Sequence, residues 1–259
     1  MIVRWARFLE GGREGFGILT EQNAIAVHEG DMFASPSPTG RTVPLSEVRL
    51  LPPTAPSKMI GLWNNFQALA EKLNQARPQH PLYFLKANSS FCGPDETVSR
   101  PKSYAGRIVY EGELGIVIGK RCRDISEGEA DDHIFGYTCI NDITASDLLN
   151  EDASFAQWTR AKSFDGFGVF GPVVAAGLRP EELTVRTILN GQERQNYPVS
   201  DMIIAPARIV SFLSRDMTLM PGDVICCGTS VGVGTMKGPR DTVEIVIAGI
   251  GALGNVFVQ

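Results

Sequence analysis

Between Tyr110 and Lys162 the chain couples acidic residues to long apolar runs in a way few folds accommodate. It reads Tyr110-Glu111-Gly112-Glu113 and passes straight into Leu114-Gly115-Ile116-Val117-Ile118. Residues i and i+2 of a strand project from the same face, so Glu111 and Glu113 point into one space. Two carboxylates that close repel each other and raise one pKa unless a cation lies between them. A second apolar run, Gly136-Tyr137-Thr138-Cys139-Ile140, ends in Asn141-Asp142. Glu-x-Glu with a strand-end Asp is an all-oxygen donor set, suited to Mg²⁺, Mn²⁺ or Ca²⁺. The segment Gln157-Trp158-Thr159-Arg160-Ala161-Lys162 then brings a lysine toward the acids. A lone Glu-x-Glu is most often a solvated strand face, so the reading rests on the combination.

Six motifs follow one another in order. They are Glu-x-Glu-Leu from Glu111, Asn-Asp-Ile-Thr from Asn141, Gln-Trp-x-x-Ala-Lys-x-Phe-Asp from Gln157, Ser-Asp-Met-Ile from Ser200, Pro-Gly-Asp-Val-Ile from Pro221, and Gly-Thr-x-x-Gly-Val-Gly from Gly228. With them the chain, over about residues 57–259, resembles the fumarylacetoacetate hydrolase family, in the manner of its acylpyruvase and 2-hydroxyhepta-2,4-diene-1,7-dioate isomerase members. The resemblance implies an α+β, strand-rich fold whose C-terminal domain has mixed β-sheets rolled into a β-sandwich, usually in a homodimer. It implies that Glu111, Glu113 and Asp142 hold Mg²⁺ (or Mn²⁺ or Ca²⁺) against a 2-oxo acid substrate. Lys162 would then add positive charge beside the enolate that forms there. Lys86, Arg107 and Gln157 take substrate-facing places. The backbone N–H groups of the glycine-rich loop and the Thr229 hydroxyl are suited to a substrate carboxylate.

One departure bears on the reaction. Relatives carry a histidine and a glutamate one helical turn apart on a mobile lid, as a general-base pair. Here Gln67 stands at about the histidine position, and Glu71, four residues on, is the candidate for the surviving catalytic acid. Glutamine cannot accept and release a proton near neutral pH. His80, in Pro78-Gln79-His80-Pro81, reads as a loop residue. Three functions are therefore weighed. The first is metal-dependent hydrolysis of a C–C bond in a 2,4-dioxo acid of acylpyruvate or fumarylpyruvate type. The second is decarboxylation or isomerisation of a muconate-type diacid in aromatic catabolism. The third is a catalytically silent relative that binds metal and ligand.

Composition narrows the partners. The net charge is −5 with no basic run, which argues against nucleic acid. No apolar run approaches the length of a membrane span, and the N-terminus lacks a signal-peptide apolar core. Five cysteines with no C-x-x-C spacing read as reduced thiols in a cytoplasmic protein.

Along the chain, residues 1–55 read as a small N-terminal β domain and residues 56–259 as the catalytic domain. Arg4–Phe8 and Arg13–Leu19 make a hairpin around Gly11-Gly12, and Ala24–His28 is a third strand. Prolines from Pro36 to Pro56 mark a linker. Lys58–Leu62 and Pro81–Lys86 are strand candidates. Phe66, Leu69, Ala70 and Leu73 have helical spacing, with Asn64 or Asn65 as the cap. Ser126-Glu127-Gly128-Glu129 is a capping box, Asn190-Gly191 a hairpin turn, and Ala205–Leu213 a helix opened by Pro206. Many relatives have an arginine before Asp147, where this chain has Ser146.

Overall fold

The computed structural model describes all 259 residues, Met1–Gln259. The alternating N-terminal segments form strands Val3–Glu10, Arg13–Leu19 and Ala24–Glu29. Gly11 and Gly12 turn the first hairpin at φ of 53° and 83°, where a side chain would be strained. The proline-bearing segment differs from the linker expectation. Ser37–Pro44 is a fourth strand, paired with Ala24–Glu29 at the outer edge of the sheet. Proline is tolerated there because the outer side of an edge strand needs no ladder N–H. Nor do these strands stand apart from the rest. Val3–Glu10 pairs with Gly168–Ala176, setting Trp5 opposite Val174.

The main sheet therefore continues from those four strands through Gly168–Ala176, Ile134–Asp142, Gly112–Ile118, Val224–Cys226, Met59–Trp63 and Leu82–Lys86. Its central strand Gly112–Ile118 is buried along its whole length, which is why it reads as a continuous apolar run and not an alternating one. Val224–Cys226 and Met59–Trp63 run parallel while their neighbours are antiparallel, so the sheet is mixed. A five-stranded sheet, built from Gln192–Pro198, Thr184–Leu189, Arg240–Ile247, Gly251–Val258 and Thr97–Ser99, packs against it. Leu114, Ile116, Val185, Ile245, Leu253 and Phe257 fill the space between, each at most 1% exposed. The result is a strand-rich α+β sandwich with an N-terminal β unit.

Three short helices decorate it: α1 (Gln67–Lys72), α2 (Trp158–Lys162) and α3 (Pro206–Asp216). The spacing of Phe66, Leu69 and Ala70 predicts α1, but neither Asn64 nor Asn65 caps it. Phe66 holds the cap position, and Asp201 Oδ2 reaches across to accept the Ala68 N–H at 3.1 Å. Asn65 is instead a tie between loops: it donates to Cys227 O at 2.9 Å and accepts the Ile204 N–H at 2.9 Å. The Ser126–Glu129 capping box is present, opening a 3₁₀ turn over Glu127–His133. Asn190 and Gly191 turn their hairpin with φ of 50° and 75°, the signature of a type I′ turn. All five cysteines are free and buried. No helix is long and apolar enough to cross a membrane.

Candidate active site

Strand register builds the acidic cluster. Gly112 pairs with Asn141 and Glu113 with Ile140, which sets Glu111 opposite Asp142. The Asp142 N–H donates to Glu111 O at 2.8 Å and closes the corner. One carboxylate oxygen from each of Glu111, Glu113 and Asp142 lies within 4.8 Å of the others. Two lysines converge on them. Lys162, the last residue of α2, donates to Glu111 Oε2 and to Asp142 Oδ2, each at 2.5 Å. Lys86, the last residue of its strand, pairs with Asp142 Oδ1. Glu113 has no ammonium partner. It accepts the Gly228 N–H at 2.9 Å, from the first residue of the glycine-rich loop.

Burial pushes the pKa values of Glu111 and Glu113 up. Lys162 pulls Glu111 part of the way back, whereas the charges of Asp142 and Glu111 add to the rise at Glu113. Burial also acts to raise Asp142, but the ammonium groups of Lys162 and Lys86 outweigh it and hold that carboxyl low. For Lys162 burial favours the neutral amine. The three carboxylates outweigh that as well and keep it charged. Three carboxyl groups thus meet two ammonium groups, and the third, Glu113, is ionised at a cost that a bound cation would offset. The donors are all hard oxygens, and Glu113 has spare acceptor capacity. The residues present fit a hard divalent cation such as Mg²⁺ or Mn²⁺.

Behind the cluster sits a polar scaffold that motif reading missed. The carbonyl of Gly112, between the two glutamates, accepts from Tyr197 Oη at 2.5 Å and from Thr229 Oγ1 at 2.9 Å. Gln195 Oε1 accepts the Gly112 N–H at 3.0 Å, while Gln195 Nε2 donates to Thr229 Oγ1 at 2.9 Å. Thr187 Oγ1 donates to the same Gln195 oxygen. A Cβ on Gly112 would lie 2.0 Å from Thr187 Oγ1 and 2.9 Å from a methyl of Ile245. Gly112→Ala is therefore expected to cost about 1–3 kcal/mol, the scale of overpacking in a tight core. Because the flanking carboxylates must shift, activity should fall further than stability. Urea unfolding and turnover measured together check this; a variant with native stability and rate would show that the scaffold gives easily. Little in the sequence marks this scaffold, because Gln192–Pro198 is polar nearly throughout and Gln195 differs from its polar neighbours only in being buried.

The remaining candidates are placed unequally. Lys86 is buried against Asp142, so it reaches a substrate only through the space next to that carboxylate. The Thr229 hydroxyl is already donated to Gly112, which makes it part of the wall and corrects its reading as a free donor. Arg107 is exposed and held by Asp147, with its Nε 2.7 Å from Oδ1 and its backbone N–H on Oδ2. It is not among the groups touching the acidic cluster. Gln157 precedes α2, half-buried, its amide donating to Phe155 O at 3.4 Å. Glu71 is turned outward and pairs with Arg77 at 3.2 Å in solvent, so the structure does not bring it to the carboxylates. Gln67 lines a separate cavity of about 470 Å³ with Arg77, His80 and Arg208.

The chain is similar to known proteins along most of its length. Residues 58–258 match the family model described as fumarylacetoacetate (FAA) hydrolase C-terminal, and residues 3–53 match one described as Rv2993c-like, N-terminal. The structure of 2-hydroxyhepta-2,4-diene-1,7-dioate isomerase from Mycobacterium marinum superposes with a TM-score of 0.90 at 37% identity, covering 99% of this chain and 98% of that one. Oxaloacetate tautomerase YisK of Bacillus subtilis is 38% identical over 224 residues, 82% of this chain and 73% of its own length. Fumarylpyruvate hydrolase from Pseudomonas aeruginosa, solved in complex with Mn²⁺ and pyruvate, has a TM-score of 0.73 at 27% identity, covering 80% of this chain and 91% of that one.

Proposed function

This chain belongs to the fumarylacetoacetate hydrolase family of enzymes, and from that premise we propose that it is a divalent-metal-dependent enzyme acting on a 2-oxo or 2,4-dioxo acid, with C–C hydrolysis of an acylpyruvate as its reaction. The observation that carries the reading is the buried Glu111–Glu113–Asp142 cluster with Lys162 against it. Those three carboxylates would hold the cation, which when bound supplies Lewis-acid charge to the oxygens of the 2-oxo acid. The Mn²⁺- and pyruvate-bound relative supports the same ligand class. Lys162 stays protonated in the site and so offers a fixed positive charge and N–H donors to an enolate developing beside it. Lys86 holds Asp142 ionised and fixes its direction. Glu113, Asp142 and Lys162 are each at most 3% exposed, and that burial strengthens these interactions.

A second reading, isomerisation, tautomerisation or decarboxylation of a 2-oxo acid, is favoured by one observation. Hydrolysis needs a base for water, yet Gln67 cannot serve as one and Glu71 faces solvent in a pair with Arg77. Enolate formation and collapse make less demand on that lid. The two readings separate on a panel of acylpyruvates and oxaloacetate assayed with and without Mg²⁺ or Mn²⁺. Ion-dependent release of pyruvate from an acylpyruvate supports the first; ion-dependent enol–keto conversion or loss of CO₂ without it supports the second. Silence on every substrate would leave a metal- and ligand-binding relative. Gln67 lines a cavity apart from the carboxylates, so Gln67→His is expected to raise acylpyruvate hydrolysis only by α1 moving over the cluster. The gain is then about 10²-fold, the lower end of what a placed general base contributes; an unchanged rate would show that α1 stays where it is. Enolate-only reactions should change by less than about tenfold, because Lys162 and the metal ligands carry most of their barrier. Strong native hydrolysis that falls on adding the imidazole would show that the base lies elsewhere.

A further inference from the structure

Lys162 touches more than carboxylates. Its ammonium lies 5.3 Å from the centre of the Phe84 ring, within cation–π range. Phe84 stacks on Trp158 at 5.5 Å and 14°, and Trp158 meets Trp63 at 4.9 Å and 41°. The row is held in place from both sides. Trp63 ends the strand next to Leu82–Lys86, and α2 is tied to that strand by Thr159 Oγ1 donating to Leu85 O at 3.2 Å. The Phe84 ring lies over Gly61, where a Cβ would sit 2.2 Å from its tip, so only glycine leaves it room.

Burial changes along this row in one direction. Lys86, Phe84 and Leu82 share a strand face, and their exposure rises from 2% to 7% to 44%. Trp63 and Trp158 are half-buried. Residues that merely fill a core are buried throughout, whereas this row starts at the reactive cluster and opens to the surface. The cations beside it are committed: Lys86 and Lys162 to the carboxylates, and Arg160 of α2 to Glu151. Ring surface with no free positive charge suits a flat, uncharged group.

We propose that Phe84, Trp158 and Trp63 form the subsite for the distal end of the substrate, and that it takes an uncharged planar group, aryl or conjugated alkenyl, in preference to a second carboxylate. This rests on the reading of the acidic cluster and Lys162 as the 2-oxo acid site. Trp63, the outermost ring, is the specificity residue.

The test is calorimetric binding of phenylpyruvate, pyruvate and 2-oxoglutarate to the Mg²⁺-loaded full chain, in the wild type, Trp63→Ala and Trp63→Phe. Phenylpyruvate should bind about tenfold more tightly than pyruvate or 2-oxoglutarate, the scale of one good aromatic contact. In Trp63→Ala that advantage should shrink to about twofold while pyruvate affinity holds, and Trp63→Phe should restore most of it. The subsite is overturned if 2-oxoglutarate matches phenylpyruvate in the wild type, or if Trp63→Ala weakens pyruvate as much as phenylpyruvate. Failure of all three acids to bind would overturn the 2-oxo acid reading itself, and the subsite with it.

Discussion

Glu113→Ala is expected to abolish divalent-ion binding and to cut turnover by about 10³-fold or more, since a Lewis acid supplies several kcal/mol to such a barrier. Glu113 is the one carboxylate of the three without an ammonium partner, so its spare charge is what a cation would draw on. The fold should tolerate the change. Removing the side chain leaves the Gly228 N–H without its acceptor, a loss of about 1–3 kcal/mol for a buried donor. Against that, a buried carboxylate whose pKa burial has raised no longer has to be kept ionised. Titration of MgCl₂ and MnCl₂ into wild type and variant by calorimetry decides the matter. Wild-type affinity in Glu113→Ala would mean that the ion, if any, binds elsewhere.

Lys162→Met should behave differently, and the contrast identifies the two roles. Turnover is expected to fall by about 10²–10³-fold, the effect of losing one donor aimed at developing negative charge. Metal affinity should persist or rise, because a positive charge leaves the site while all three carboxylates remain. Stability of the metal-free protein should drop by about 3–5 kcal/mol, since Lys162 alone bridges Glu111 and Asp142 and its removal strands buried charge. A bound divalent ion replaces that bridge, so Mg²⁺ should raise the Tm of Lys162→Met more than that of the wild type. Thermal melts with and without Mg²⁺, paired with kcat, read both effects. Unchanged kcat with lowered stability would make Lys162 an ion-pair residue only.

Much of this was legible before any tertiary structure. Glu-Gly-Glu at the mouth of an apolar run predicts two carboxylates on one face, and period-2 geometry delivers them. The hairpins at Gly11-Gly12 and Asn190-Gly191 follow from backbone freedom that only certain residues supply. The helical spacing after Phe66 predicts α1, and Pro206 at a first position predicts α3. Each of these is set by neighbours within a few residues.

Partners far apart in the chain were another matter. Asp142 faces Glu111 because of the register between two strands, and Lys86 reaches Asp142 across 56 positions of sequence. Pro221-Gly222-Asp223 stands in the sequence only as part of a motif, yet Asp223 is a fully buried clamp. It accepts the Ser57, Lys58 and Met220 N–H groups and pairs with Lys58 Nζ at 2.5 Å. Glu71 has the right spacing from Gln67, and only packing turned it outward to Arg77. Thr229 sits in the right loop, and only the approach of Gly112 took its hydroxyl. Short-range periodicity and residue type were enough to mark most of the strands, the acid-bearing face and the motifs of the family, though not the proline-bearing edge strand Ser37–Pro44. Which side chains share a charge and which stay exposed depended on tertiary packing, because a contact's energy depends on distance and burial that no local pattern specifies.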